Sequence, residues 1–490
     1  MEAQRSIVRY VGKSSSNSCG YCKSTQRAVD RSEKKGTSEE AQASSSAPEK
    51  KHEASITFGV IAHSLTPEVF SQFLDTGWSR SGRYLYKPVM DETCCPQYTI
   101  RLDIHKFQLS RTQKRALRTM LDFLKYDKRP SAPVSSEEDH IPRQKHVKSR
   151  QKSDQRNEVN APSAQKPKRR DCDKPYEKKK VIRRRRAEER LKSKGIDIEL
   201  YKKARAEKEM ARKRTLESFL EKYVEGEWKH KLETRLVPLE SAEFAATLDE
   251  SFQVYRKYQC SIHEDDDLTK SGFSRFLVSS PLFSVNDGIE PALGSYHQQY
   301  LLDGKIIAVG VVDILPRCLS AKYFFYDPAY KFLSLGTYSA LREIVFTQSL
   351  CVDRPELHYY YMGYYLYDCP KMRYKGKFRP SDLLCDKTRH WVTHSYSIVF
   401  INLRLQIPLS ICVKLLEANN GIFTIFGNPD ESQNEPEVDI DEILCIKNDN
   451  IVPFGTLKTM TEDDSQSMVE KLNNFVTYAG PVAKKVLLYI

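Results

Sequence analysis

The chain has 490 residues, of which 40% are hydrophobic and 29% are charged, and its formal net charge is +13. This length suggests about two or three folded units. Residues 128–186 contain 20 Lys and Arg against 8 Asp and Glu, so the positive charge is concentrated in one segment. The longest apolar stretch, residues 397–413, is interrupted by polar residues, which argues against a membrane-spanning helix. The chain is therefore not expected to be a membrane protein.

Its 12 cysteines are too few for a secreted disulfide scaffold. The polar first ten residues also lack the apolar core of a signal peptide. We therefore expect a cytoplasmic protein, or one that also enters the nucleus, whose thiols are free, catalytic or metal-bound.

The N-terminal part predicts a Cys-rich domain over residues 1–126, with a disordered loop at residues 30–53, where large apolar side chains are almost missing. Thr66 is placed as the N-cap and Pro67 as the first residue of an amphipathic helix. A second helix is predicted over residues 110–124. Residues 127–180 are polar and basic without apolar periodicity, which predicts a disordered basic linker.

Good helix formers dominate residues 181–227, so this segment predicts one long basic helix, or two helices separated near Gly195. Residues 228–490 are interpreted as a second folded domain. It begins with a helix over residues 241–259 and continues with a hairpin whose turn is Asp303-Gly304. A strand at residues 321–326, a helix from Leu335 to about Leu350 and a strand at residues 356–362 follow, which indicates a mixed α/β sheet. The predicted fold class of the whole chain is α+β.

Four cysteines carry the first candidate chemistry. Cys19 and Cys22 form a CxxC pair, and Cys94 and Cys95 form a second, adjacent pair. Four thiolates suit a tetrahedral zinc site or an iron–sulfur cluster. Adjacent side chains on an extended backbone diverge, so the second pair requires a distorted turn. The alternative is an incidental or redox-active CxxC beside two core cysteines.

A second candidate is the basic run that contains Lys179 and the residues from Arg183 to Arg186 (Arg183, Arg184, Arg185 and Arg186). Guanidinium groups match phosphate geometry, so such a cluster on a helix is typical of nucleic-acid binding. A nuclear-localisation signal and a merely solvated charge run remain open alternatives. No zinc-finger or RNA-recognition signature accompanies the run, and sequence-specific DNA binding is not expected.

The third candidate combines aromatic and basic side chains. Residues 359–367 contain six tyrosines, and residues 371–379 contain five Lys and Arg. Aromatic rings stack on bases, and cations hold phosphates or carboxylates. The alternative is a buried aromatic strand followed by a solvated loop. Only Gly336 marks the start of the helix at Leu335, so the Gly-rich loop that binds coenzyme A phosphates is missing and coenzyme A is not expected.

The chain also carries long and specific motifs. They are residues 6–8, 19–22, 77–82, 92–96, 251–259, 276–282, 295–300, 307–316, 332–343 and 369–376. Together these motifs resemble eukaryotic arginyl-tRNA–protein transferases, and the resemblance spans the chain except for residues 30–53 and 127–180.

The resemblance implies transfer of arginine from arginyl-tRNA to the α-amino group of proteins that begin with Asp or Glu. Some members of the family also accept oxidised N-terminal Cys. The product enters the ubiquitin-dependent N-degron pathway. The resemblance further implies an acetyltransferase-like (GNAT) catalytic domain at residues 228–490. It associates Cys19, Cys22, Cys94 and Cys95 with an iron–sulfur cluster, with zinc as the alternative.

Residue roles follow from this chemistry as hypotheses. The acceptor carboxylate needs cations, and Lys371, Arg373 and Lys375 are the candidates, with Tyr374 beside them. The arginyl group needs an acid, for which Asp313 and Glu343 are candidates. His297 or Tyr300 would relay the proton. The expected partners are arginyl-tRNA and proteins with acidic N-termini, and the chain is expected to be monomeric. The alternative function is a non-enzymatic tRNA- or RNA-binding adaptor with a structural zinc site.

Overall fold

The computed structural model describes residues 4–16, 19–22, 54–130, 179–193, 195–211, 215–221, 223–392, 416, 425, 438–460 and 465–489. The predicted disordered loop at residues 30–53, and the predicted linker at residues 127–180 apart from its ends, lie outside these residues. The chain divides into two compact units. The main unit comprises Met1–Glu138 and Phe219–Ile490, and the helical unit comprises Asp139–Ser218. None of the described helices is long and apolar enough to cross a membrane.

The main unit contains two sheets. The strands of the first sheet are β1 (Ile7–Ser16), β2 (Ser55–Ser64), β3 (Ser79–Ser81), β4 (Tyr84–Pro88), β13 (Leu444–Lys447), β14 (Asn450–Pro453) and β15 (Leu487–Tyr489). The strands of the second sheet are β5 (Tyr98–Asp103), β6 (Leu232–Pro238), β7 (Gly294–Leu302), β8 (Lys305–Ile314), β9 (Cys318–Tyr326), β10 (Tyr359–Tyr365), β11 (Ser381–Leu384) and β12 (Trp391–Val392). The order of the first is β14-β13-β15-β1-β2-β4-β3, and that of the second is β12-β11-β5-β10-β9-β8-β7-β6.

The helices of the described chain fall in both units. Those of the main unit are α1 (Pro67–Asp75), α2 (Arg111–Tyr126), α5 (Ala242–Tyr258), α6 (Lys270–Phe273), α7 (Leu335–Asp353), α8 (Pro370–Arg373), α9 (Phe454–Met460) and α10 (Ser465–Ala479). Those of the helical unit are α3 (Lys179–Lys192) and α4 (Ile198–Ala211). The basic segment therefore forms two helices, with Gly195 between them at φ +67°, as one of the two sequence interpretations predicted.

Residues predicted to form separate N-terminal and C-terminal domains share both sheets. In the first sheet, β15 pairs in parallel with β1, where Ile7 lies opposite Leu487. In the second, β5 pairs with both β10 and β11. The core of the first sheet also uses both parts of the chain, because Phe58 stacks on Tyr478 with ring centroids 4.2 Å apart. The mixed α/β architecture predicted from the sequence is confirmed.

Local sequence signals explain where several elements begin. The side chain of Thr66 accepts a hydrogen bond from the backbone N–H of Val69, and Pro67 opens α1, as predicted. Ser110 and Gln113 form a reciprocal capping box at the start of α2. The β7–β8 hairpin turns at Asp303-Gly304, where both residues have positive φ, as a two-residue primed turn requires.

A buried ion pair joins the two sheets. Arg80 on β3 donates to Asp313 on β8 through Nε at 2.8 Å and a terminal nitrogen at 2.5 Å. Their side chains are 1% and 0% exposed. Ser295 completes the network, since its hydroxyl donates to Asp313 at 2.7 Å and accepts from Arg80 at 3.0 Å. A bidentate pair with satisfied hydrogen bonds fixes both the distance and the orientation of two strands.

We expect Asp313→Asn to lower the free energy of unfolding by about 3–5 kcal/mol, because the buried guanidinium of Arg80 would lose its counter-charge. Chemical denaturation monitored by circular dichroism measures this change. The matched control is Glu92→Gln, which removes the exposed Lys13–Glu92 pair and should cost under about 1 kcal/mol. Replacing both buried partners by Met and Leu should recover most of the loss. Equal costs for Asp313→Asn and Glu92→Gln would contradict the proposed importance of the buried pair.

Candidate active site and metal centre

The four predicted cysteine ligands come together in space. Cys19 and Cys22 lie in the turn after β1, and Cys94 and Cys95 lie in the bend between β4 and β5. Their sulfur atoms all lie within 4.8 Å of one another, and the Sγ atoms of Cys22 and Cys94 are 3.7 Å apart. A tetrahedral ion with Zn–S bonds of about 2.3 Å would separate its sulfurs by about 3.8 Å. The four side chains could therefore hold one metal ion, and the adjacency of Cys94 and Cys95 is no obstacle.

The protonation of the thiols follows from their mutual contacts. A hydrogen bond from Cys95 is the main reason that the pKa of Cys19 is lowered to about 4, so this sulfur is a thiolate. Burial is the main reason that the pKa of Cys94 is raised to about 12. The hydrogen bond to Cys19 also raises the pKa of Cys95. One thiolate thus accepts hydrogen bonds from its neighbours, and a bound cation would replace those protons.

The cysteine cluster packs against the end of β10. Tyr364, Leu366 and Cys369 form a small buried core, and Tyr21, Tyr86, Cys95 and Met372 pack against it. Tyr21 lies between two of the candidate metal ligands, and Cys95 is itself a ligand candidate. The cysteine cluster is therefore in contact with the segment that follows β10.

The strands β9 and β10 are paired over only three residues each, within the described chain. Tyr359–Tyr361 lie opposite Cys318–Ser320 in parallel register, and beyond these residues the two strands separate. A bulge in β9 follows, since Val312 lies opposite Ala321 and Val311 opposite Tyr323, so that Lys322 has no partner in the ladder. We call this gap the β9–β10 opening. Bulges near strand ends commonly redirect side chains at functional sites.

Lys375 enters the β9–β10 opening, whereas Lys322 lies at the bulge of β9. Lys375 donates from Nζ to the carbonyl oxygen of Tyr364 at 2.8 Å, which satisfies a backbone group that β9 leaves unpaired. Burial lowers the pKa of Lys375 to about 8. The Nζ of Lys322 is buried and has no hydrogen-bond partner among the described residues, and burial lowers its pKa well below the usual value. Burial therefore disfavours the charged form of both ammonium groups.

The segment after β10 forms a rim to this opening, which we call the cationic turn (residues 369–377). Lys371 is exposed on α8, and its Nζ donates to the carbonyl oxygen of Ile262 at 3.0 Å. Arg373 is exposed, and Tyr374 is half-buried with its ring 6.3 Å from that of Phe378. The structure therefore brings the four predicted acceptor-binding residues, Lys371, Arg373, Tyr374 and Lys375, into one turn.

Glu343 and Tyr300 lie on the α7 side of the second sheet. Glu343 accepts a hydrogen bond from the hydroxyl of Tyr360 at 2.7 Å, and burial raises its pKa to about 7. Gly310 leaves space for the Glu343 carboxylate, because a Cβ at this position would lie only 3.1 Å from the Oε1 of Glu343. Tyr300 is fully buried, and its hydroxyl donates to Gln298 at 2.7 Å.

His297 and Asp313 occupy the opposite face, because side chains alternate along β7. His297 is 0% exposed, its Nε2 lies 3.2 Å from the carbonyl oxygen of Leu277, and burial lowers its pKa to about 4. The imidazole is therefore neutral near pH 7. Asp313 is engaged by Arg80. The four residues proposed for proton relay and arginyl binding consequently do not form one constellation.

The basic run lies in the helical unit. Lys179 and Arg184 fall within α3, and the side chains of Arg183, Arg185 and Arg186 are exposed. Arg185 approaches Glu189 one turn later at 3.8 Å. The helix is thus exposed along its basic face within its own unit.

Sequence reasoning missed Arg80 and Lys322 as site residues. Arg80 lies between Ser79 and Ser81 in the motif at residues 77–82, and these polar neighbours gave no signal that its charge would be buried and paired. Lys322 interrupts a run of strand-forming residues in β9. No sequence pattern distinguishes a bulged lysine from one that points to solvent.

Known proteins match most of this chain. Family models described as the C terminus and the N terminus of arginine-tRNA-protein transferase match residues 250–385 and 17–115. Arginyl-tRNA–protein transferase 1 of Drosophila melanogaster is 36% identical over 436 residues, which cover 79% of this chain and 82% of that protein. The chain belongs to the arginyl-tRNA–protein transferase family.

Further proteins are also similar to this chain. Arginyl-tRNA–protein transferase 2 of Arabidopsis thaliana is 31% identical over 479 residues, which cover 79% of this chain and 75% of that protein. Aspartate/glutamate leucyltransferase of Pseudomonas fluorescens is 36% identical over 148 residues, or 30% of this chain and 55% of that protein. Family membership confirms the predicted resemblance and the prediction of an aminoacyltransferase. The alternative of a non-enzymatic adaptor is therefore not supported.

The raised pKa of Glu343 predicts a pH dependence of stability. A group whose pKa is raised by folding stabilises the native state when protonated, so its contribution is complete below about pH 4.5 and is lost as pH rises through 7. Relative to wild type, Glu343→Gln should therefore become more stable by up to about 3 kcal/mol between pH 5 and pH 8. Denaturant unfolding across this pH range measures the difference. The exposed Glu356→Gln should give a flat difference curve, and a flat curve for Glu343→Gln would show that its pKa is not raised.

Proposed function

We propose that this transferase moves arginine from arginyl-tRNA to the α-amino group of proteins whose first residue is Asp or Glu. The observation that carries the proposal is the cationic turn at the β9–β10 opening, held in place by the cysteine cluster. Lys371 and Arg373 offer exposed cations at the rim, and Lys375 lies inside. The name of the leucyltransferase relative, which refers to aspartate and glutamate, also supports an acidic acceptor.

The chemistry needs no covalent enzyme intermediate. The neutral α-amine attacks the carbonyl carbon of the aminoacyl ester, a peptide bond forms, and the ester bond to the tRNA ribose breaks. The proton lost by the amine goes to the departing ribose oxygen. An α-amine with a pKa of about 7.7–8.0 is partly neutral at pH 7, so alignment of the two reactants supplies much of the acceleration.

The structure supports some of the predicted roles in arginyl binding and proton relay better than others. An arginyl group would have to displace Arg80 to reach Asp313, since that carboxylate is already bound on both oxygens. Among the described residues, the Glu343 carboxylate accepts one side-chain hydrogen bond, from Tyr360, and we favour it as the acidic partner. His297 and Tyr300 are both enclosed, so a proton relay through either one requires that substrate reach the interior of the sheet. Tests of these roles use His297→Gln and Tyr300→Phe.

We further propose a GNAT-like arrangement for the second sheet. Its support is the unit β9–α7–β10, in which two parallel strands connected by a helix separate after a short paired region. Ligand sites in such sheets form where neighbouring parallel strands diverge at their carboxyl ends. The consequences expected from the family, entry of arginylated proteins into ubiquitin-dependent degradation in the cytoplasm or nucleus, remain part of the same proposal, as does a monomeric state.

For the cysteine cluster we propose a bound metal. An iron–sulfur cluster and zinc both use four thiolates, and the close spacing of the four sulfurs supports a single tetrahedral ion over a cluster, whose cysteines ligate different irons. Such an ion neutralises the thiolates and fixes the turn at Cys19–Cys22 against β10. The chain's own residues Tyr21 and Cys95 transmit this constraint to the cationic turn.

The test of the reaction uses tRNA charged with labelled arginine and two peptides that differ only in an N-terminal Asp or Gly. We expect label on the Asp peptide alone. Arg373→Ala and Lys371→Ala should each raise the KM for the Asp peptide by roughly 10- to 100-fold, the loss of a charge-assisted hydrogen bond. The exposed Arg379→Ala is the matched control in the neighbouring sequence. Equal transfer to both peptides, or undiminished transfer by Arg373→Ala, would remove the acceptor pocket from the cationic turn.

The metal proposal predicts that the purified protein contains zinc, or iron with acid-labile sulfide, and that Cys22→Ser or Cys94→Ser lowers this content. Metal analysis and sulfide assay measure it directly. Cys351→Ser, outside the cluster, should retain the metal. Chelation should also lower the unfolding temperature, because the packing of Tyr21 and Cys95 on β10 would loosen. Full metal content in Cys94→Ser would exclude the four-thiolate site.

A further inference from the structure

Helix α2 carries a row of cations along one face, on which the arginines are exposed and Lys114 is half-buried. Arg111, Lys114, Arg115 and Arg118 are spaced at i, i+3, i+4 and i+7, so they lie on one stripe about 10 Å long. The opposite face is buried and packs through Ala116, Leu117, Met120 and other apolar residues. We call these four residues the α2 stripe. The helix belongs to the main unit, whereas the basic run at residues 179–186 belongs to the helical unit.

The α2 stripe lacks the counter-charges usual on a helix surface. None of its four side chains forms an ion pair with the described residues, and residues 104–121 contain no Asp or Glu. By contrast, Lys125 on the same helix pairs with Glu221. Like charges at i, i+4 destabilise a helix, and cations in the first turn oppose its dipole. The α2 stripe therefore destabilises the helix in two ways, by repulsion between like charges and by an unfavourable interaction with the helix dipole. This indicates that a partner supplies the negative charge.

The direction of α2 relates the stripe to the candidate active site. The carboxyl end of α2 contacts the segment that leads into β6. His230 in this segment donates from its backbone N–H to the carbonyl oxygen of Leu124 at 2.9 Å, and its ring stacks on Phe123. His230 lies two residues before β6, whose first residue Leu232 lies opposite Leu302. The sheet register places this end of β6 with the carboxyl ends of β9 and β10. The helix thus runs toward the end of the sheet that contains the β9–β10 opening.

We propose that the α2 stripe binds the phosphate backbone of the tRNA. The inference rests on arginyl-tRNA as the donor substrate in the proposed function. A polyanion that lies along α2 neutralises the four unpaired cations and continues toward the β9–β10 opening. Three of the four cations are arginines, whose planar guanidinium groups match phosphate oxygens. The contacts are to backbone and not to bases, so they position the RNA without reading its sequence.

The test compares tRNA binding by the wild-type protein and by a variant in which all four stripe residues are changed to Gln. Fluorescence anisotropy with labelled tRNA, over a series of salt concentrations, measures affinity. We expect affinity to fall about tenfold or more at moderate salt, and the slope of log K against log salt to fall by up to about 3. In steady-state transfer, the KM for arginyl-tRNA should rise, while kcat and the KM for the Asp peptide stay unchanged.

Two further variants make the comparison specific. The control changes four exposed cations elsewhere in the main unit, Arg256, Lys305, Lys471 and Lys485, to Gln, which alters net charge equally. The variant R111K/R115K/R118K keeps the charge and should keep most of the binding. If the Gln variant fails to fold, the single substitutions Arg111→Gln and Arg115→Gln at exposed positions provide the test, and unchanged tRNA affinity in both would overturn the proposal.

The outcomes separate this inference from the function on which it rests. If the wild-type protein binds no tRNA and transfers no arginine, the proposed function fails. If wild type binds tRNA and the stripe and control variants lose affinity equally, only net charge matters and the stripe is not a site. If tRNA binding is unchanged while the KM for a folded acidic protein substrate rises, the stripe binds the acceptor protein, and our assignment to tRNA is wrong.

Discussion

The ion pair between Arg80 and Asp313 is the interaction on which the arrangement of the main unit depends. It connects β3 at the edge of the first sheet to β8 inside the second, and both side chains are excluded from water. A charge in such a position is tolerated only when its partner is held in register. The two sheets are therefore constrained in distance and rotation by one bidentate contact. The cysteine cluster from the first part of the chain can in turn be held against β10, which belongs to the second sheet.

Because of this arrangement, an ion bound at the cysteine cluster would affect the transfer reaction without contacting the substrates. The cationic turn is short and has few anchors of its own: the exposed Lys371 contacts a backbone carbonyl of Ile262, and the Lys375 side chain fills the gap left by β9. The remaining support comes from Tyr364, Leu366 and Cys369, on which the cysteine-bearing turns pack. The first sheet thus holds the cationic turn in position, and functional sites generally require such support from rigid elements.

Local signals were sufficient to predict many elements and were insufficient for their assembly. The helix caps at Thr66 and Ser110 and the turn at Asp303-Gly304 depend on residues close in sequence, so they could be predicted. The pairing of strands from distant segments could not be predicted. β5 pairs with β10 across more than 250 residues, and no local sequence pattern specifies which strand pairs with which. Likewise, the spacing of the cysteines predicted the ligand set, whereas the pairing of Asp313 with Arg80 and the isolation of Lys322 arise only from the folded arrangement.

The parallel pairing of β15 with β1 has a consequence for the synthesis of the protein. β15 lies between β13 and β1, so in the first sheet, as far as the structure describes it, the early strand β1 joins the late strands β13 and β14 through Leu487–Tyr489. The first sheet cannot close until these residues have left the ribosome, and until then the edge of β1 remains unpaired. Exposed strand edges of this kind invite wrong partners. The nascent chain therefore carries a long-lived risk of aggregation, and its yield in cells should respond to the rate of elongation and to chaperones that bind unpaired strands.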